Sequence, residues 1–151
     1  MPDIIHRLGI KAPLASVHAA LTTVPGLAGW WTEDTAGDAA VGGRLTFTFK
    51  SPAGEVIGAM LMEVLETAPG RVAWHCVDGP PDWVGTTFTF ESSEQDGMVV
   101  LLFGHRGWLD ATESMAHCSM KWAVFLLSLR ELVETGKGRP SPGDLKIDNW
   151  N

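Results

Sequence analysis

The stretch TESMAHCSMKWAVFLLSLRELVETG, residues 112–136, follows a chain that otherwise reads almost entirely as strands. Met115, Cys118, Trp122, Phe125, Leu126, Leu129, Leu132 and Val133 recur three or four residues apart, so a helix would gather them on one face. Asp110 followed by Glu113 predicts a capping box, and Gly136, Gly138 and Pro140 predict the stop. Such a helix is about 37 Å long but only about 10 Å wide. Six strands spaced about 4.8 Å apart make a sheet nearly three times wider. One helix therefore cannot cover the concave face of that sheet, and the remaining space has to be filled by something else.

Working back along the chain, Ile4, His6, Leu8 and Ile10 alternate with Ile5, Arg7, Gly9 and Lys11 and predict a half-buried first strand. Pro13 opens a short helix carrying Leu14, Val17, His18 and Leu21, and Pro25 opens another turn that ends near Trp30-Trp31. Glu33 to Asp38 reads as a polar loop. Five further strands follow, over Arg44–Lys50, Glu55–Glu66, Arg71–Val77, Trp83–Glu91 and Met98–Gly107, each bounded by turn residues. Loops this short make the strands antiparallel neighbours, because a parallel connection needs a dozen residues or more. The expected fold is therefore α+β: a curved six-stranded antiparallel sheet around a long C-terminal helix, with two short helices between strands 1 and 2. A single domain spans residues 1–138, with 139–151 as a C-terminal extension that Trp150 tacks to the body.

The 151 residues carry a net charge of −7 and no cluster of Lys or Arg, which argues against nucleic acid as a partner. The longest apolar runs are too short to insert in a bilayer, and Met1-Pro2-Asp3 lacks the features of a secretion signal. Cys76 lies in a strand pattern and Cys118 on the helix face, so two unpaired thiols in a cytoplasmic protein are expected. Neither has the neighbours of a zinc site. No nucleophile elbow, phosphate-binding glycine loop or dinucleotide fingerprint occurs, so neither metal nor cofactor is expected.

The inward strand faces are rich in Phe, Met and Trp rather than branched aliphatics: Phe47, Phe49, Met60, Met62, Trp74, Phe88 and Phe103. Met fills adaptable space, and pockets of mostly apolar lining are where small molecules bind. Trp30, Trp31 and Trp108 join this expected lining, as do Met115, Cys118 and Trp122 from the helix. His105 aligns with Leu101 and Phe103, pointing to the concave face, where an imidazole can orient a ligand or move a proton. Glu33 and Asp34, at the expected rim, are the carboxylates that would work with it.

Several motifs in fixed order resemble a known superfamily: Ala12-Pro13, Val17 and Leu21 before Trp30-Trp31; Gly42-Gly43-Arg44 opening a strand; Gly85-Thr86-Thr87-Phe88-Thr89-Phe90. His105-Arg106-Gly107-Trp108, then Trp122, Leu126, Leu129 and Glu134-Thr135-Gly136-Lys137-Gly138 complete them. Together they resemble the helix-grip (SRPBCC) superfamily of START lipid-transfer domains and polyketide cyclases. The branch is similar to the C-terminal domain of the heat-shock-protein-90 ATPase activator. The resemblance implies a curved sheet gripping the C-terminal helix around a cavity, a small hydrophobic ligand and a homodimer. It leaves three functions open: a non-catalytic carrier or sensor, an enzyme of the cyclase or hydrolase kind using His105, and a co-chaperone-like interaction module.

Overall fold

The computed structural model describes residues 1–151. In chain order the elements are β1 (Ile4–Ile10), α1 (Leu14–Thr22), α2 (Val24–Ala28), β2 (Asp34–Gly37), β3 (Arg44–Lys50), β4 (Val56–Ala68), β5 (Arg71–Asp78), β6 (Thr87–Gln95), β7 (Met98–Arg106) and α3 (Glu113–Thr135). All strands join one antiparallel sheet in the order β1-β7-β6-β5-β4-β3-β2. The hairpin order follows from the short turns, while α1 and α2 carry the chain from one sheet edge, β1, to the other, β2.

The sheet has seven strands rather than the six expected from sequence. The extra one, β2, lies in the stretch Glu33–Asp38 read as a polar loop. Four residues of mixed polarity show no alternation, and the strand exists because the edge of β3 offers backbone partners, pairing Asp34 with Thr48 and Gly37 with Leu45. Gly37 has φ +124°, and a Cβ there would lie 2.2 Å from the Arg44 carbonyl oxygen, so only glycine closes this edge. β6 also differs, starting at Thr87 instead of Trp83, because Pro80–Gly85 forms a turn with Gly85 at φ +87°.

Curvature comes from register shifts. β4 slips against β5 between Leu61 and Met62 and again between Val64 and Glu66, and β3 slips against β4 at Phe49/Lys50. Such bulges bend a strand and increase its twist. α3 lies across the resulting concave face. Its N-cap is Thr112, whose hydroxyl accepts the Met115 N–H, rather than the expected box from Asp110. Thr112 is one residue from the helix start, within reach of that N–H. At the other end Gly136 adopts φ 89° and its N–H returns to the Leu132 carbonyl. No helix is long and apolar enough to cross a membrane.

After α3 the chain turns back over the body. Arg139 donates its N–H to Ser128 Oγ, and the Ser128 hydroxyl donates to the Trp30 carbonyl. Ser141 exchanges backbone hydrogen bonds with Trp31 and Glu33. Residues 139–144 are thus stitched to the α2–β2 connection, while Leu145, Lys146, Asp148, Asn149 and Trp150 are exposed.

Candidate ligand-binding cavity

The space that one helix leaves open is largely filled by rings. Trp31 sits at the centre, with ring centroids 4.3 Å from Phe47, 5.8 Å from Trp74 and 5.0 Å from Trp122. Trp30 stacks beside it at 6.1 Å and donates its indole N–H to the Ala20 carbonyl. Phe88, Phe90 and Phe103 continue the layer, and Met62 is buried among them. Trp108 is also buried, 4.7 Å from the His105 ring, and its Nε1 is the one buried side-chain nitrogen or oxygen with no hydrogen-bond partner.

His105 is fully buried, and both its ring nitrogens are engaged. The Trp122 indole can only donate, so its N–H goes to His105 Nδ1, 3.2 Å away. The proton must then sit on Nε2, which donates to Thr86 Oγ1 at 2.8 Å, and Thr86 donates in turn to the Trp83 carbonyl at 2.6 Å. This chain of three bonds runs from α3 through β7 to the Pro80–Gly85 turn, and it folds Trp83 inward. Burial holds the His105 pKa down at about 3, from an ordinary 6.5.

That shift has a measurable consequence. Between the two values the unfolded chain binds a proton the folded chain refuses, so stability is complete above pH 6.5 and falls as the pH drops toward 3. Urea midpoints taken across this window are expected to fall one proton more steeply for the wild type than for His105→Gln. Parallel pH profiles would contradict a neutral, buried His105.

Toward the N-terminal half of α3 the ring layer stops, and a half-open cavity of about 260 Å³ remains. β3 and β4 supply Phe49, Ile57, Gly58 and Met60, the β5–β6 turn supplies Pro80 and Trp83, and α3 supplies Ser114, His117, Cys118, Lys121, Trp122 and Phe125. Trp150 and Asn151 close one side. Of the residues expected to line a site, Phe49, Met60, Cys118 and Trp122 come together here. Trp30, Trp31, Phe47, Met62, Trp74, Phe88, Phe103, His105 and Trp108 lie in the packed core instead, and Met115 packs against that core. Glu33 and Asp34 line a separate polar groove with Thr48 and Lys50, where Asp34 pairs with Lys50 at 3.0 Å.

Sequence reasoning missed Trp83, Lys121, His117 and Phe125 as wall residues. Phe125 stood on the apolar helix face already, while a turn, not a strand, aims Trp83 inward. Lys121 is buried because Asp144, itself without side-chain exposure, meets it from the returning chain. Its ammonium also donates to the Leu145 carbonyl at 2.9 Å and lies 5.1 Å from the Phe125 ring centroid. Lys146 binds the other Asp144 oxygen at 3.1 Å. His117 donates from Nδ1 to Asp148 at 2.7 Å, a bond that lowers the Asp148 pKa, and its ring meets Trp150 at 5.2 Å. Burial raises the Cys118 thiol to about 11, so it presents a neutral S–H to the cavity.

No family model matches the chain, and no curated protein does. Solved structures do. The chain is similar to the Aha1 dimer from Colwellia psychrerythraea, solved in solution, with 39% identity over 91% of this chain and 100% of that one at TM-score 0.81. It shares its fold with the AHSA1-like protein from Aeromonas hydrophila, at 17% identity, 89% and 94% coverage and TM-score 0.68. A protein from Mesorhizobium loti is similar at 20% identity, 87% and 96% coverage and TM-score 0.72. With its helix-grip architecture and more than a third of its residues shared with the Colwellia protein, the chain belongs to the Aha1-like family of the SRPBCC superfamily.

Proposed function

We propose that this protein binds a small hydrophobic molecule, without covalent chemistry, in the cavity between β4 and α3, acting as a carrier or sensor. The observation that carries this reading is the unfilled space of about 260 Å³ walled by Phe49, Met60, Trp83, Trp122 and Phe125, beside a core otherwise filled by rings. Pockets for drug-sized ligands measure about 300–1,000 Å³, so the molecule is small. Its burial supplies the driving force, about 25 cal/mol per Å² removed from water. Turnover by proton transfer would need a free His105 nitrogen near a carboxylate, whereas both nitrogens are engaged and Glu33 and Asp34 face another groove. Two unpaired cysteines support a cytoplasmic setting.

Trp83 and Trp122 make binding visible in intrinsic fluorescence. A panel of small apolar molecules is expected to include members that quench it saturably. Gly58→Leu supplies the control, because a Cβ at Gly58 meets nothing within 4 Å and the added side chain occupies the cavity. The variant should fold as well as the wild type and lose the response. Retained binding in Gly58→Leu, or no saturable response from any molecule, contradicts the reading. The dimeric state of the Colwellia relative supports a homodimer here too. Sedimentation equilibrium at micromolar concentration checks it, a monomer mass being the contrary result.

A further inference from the structure

Building on the cavity as a binding site, we propose that its ligand is an amphipathic anion, a small apolar body carrying a carboxylate that Lys121 receives. Lys121 is the one lysine, arginine or carboxylate side chain on the cavity wall. Its ammonium has three N–H groups. One goes to Asp144 and one to the Leu145 carbonyl, and the third has no protein acceptor. The Phe125 ring, 5.1 Å from the ammonium, and Lys121 both belong to the cavity wall.

Charge at the ammonium itself favours an anion. Asp144 is the only carboxylate in contact with Lys121, and it is shared with the Lys146 ammonium, so two positive charges face one negative. The other nearby acids stand outside the lining with their oxygens hydrogen-bonded, and they keep their charge, that of Asp82 acting on Cys118. Asp82 accepts the Ser114 hydroxyl, and Asp148 accepts from His117 and from the backbone N–H groups of Trp150 and Asn151. Ser114 therefore donates away from the cavity, and Cys118 offers only a weak S–H donor. The charged donor on the wall is Lys121, beside an apolar floor of Trp83, Trp122 and Met60. A carboxylate at the ammonium with a ring or short chain on that floor satisfies both halves of the site.

Titration calorimetry with two probes of one shape, 4-ethylbenzoate and 4-ethylbenzyl alcohol, separates this from apolar binding alone. The wild type is expected to bind the benzoate about tenfold tighter or more, the value of a hydrogen bond to a charged group. Lys121→Gln keeps a donor for Asp144 and should remove the preference, read as the ratio of the two affinities measured in the same variant. Equal affinities in the wild type overturn the anion assignment and leave the cavity as a site for neutral molecules. An undiminished preference in Lys121→Gln overturns the role of Lys121. Binding of neither probe overturns the cavity reading as well.

Discussion

Trp122→Ala is expected to lose about 3–5 kcal/mol of stability, among the largest costs a single core truncation produces. Trp122 is 2% exposed, and its ring lies 4.5 Å from Phe103, 5.0 Å from Trp31 and 5.8 Å from Phe88. Truncation removes those contacts and merges the vacated volume with the existing cavity, since Trp122 is the wall between them. It also strips His105 Nδ1 of its donor, leaving a buried acceptor unpaired. Trp122→Phe isolates the second effect, keeping a ring while removing the N–H, and should cost about 1–3 kcal/mol. Urea denaturation measures both. A Trp122→Ala midpoint near wild type would mean that α3 is not held by the ring layer.

Asp144→Ala is the second large effect, at about 3–5 kcal/mol, because it leaves the Lys121 ammonium buried with only the Leu145 carbonyl as partner. The residue lies 23 positions after Lys121, so the pair closes the returning chain onto α3. Its loss should raise amide exchange throughout residues 145–151 and open the Trp150 side of the cavity. Replacing both partners with apolar residues, Lys121→Met with Asp144→Leu, should recover most of the loss, since a buried pair exchanged for good packing is often near neutral. A single variant as stable as wild type, with unchanged exchange in the tail, would contradict this account of the closure.

The sequence carried the frame of this molecule wherever a periodic pattern faced a single core. The helical spacing from Met115 to Val133 and the alternation of Leu45, Phe47 and Phe49 correspond to α3 and β3 because burial on one side leaves that imprint. β2 left none, since an edge strand of four residues is made by its neighbour's unpaired backbone. The width mismatch between helix and sheet pointed to a partly open cavity along the concave face, whereas rings fill most of that face and leave a gap of about 260 Å³. It could not say which rings fill it and which border a gap. That depends on Trp31 reaching the centre from the α2–β2 connection and on the turn that aims Trp83 inward. The Lys121–Asp144 closure was equally hidden, because a lysine on a helix and an aspartate in a Pro/Gly-rich tail each look like solvated surface until the chain brings them together.

The most direct test of a cavity site is a two-dimensional amide and indole N–H spectrum recorded during titration with 4-ethylbenzyl alcohol. Saturable shifts are predicted for the Trp83 and Trp122 indoles and the Gly58 and Cys118 amides, with the Trp30 indole, bonded to Ala20 within the core, unmoved. Absence of shifts, or shifts confined to the exposed helix face around Met120 and Leu127, would contradict it.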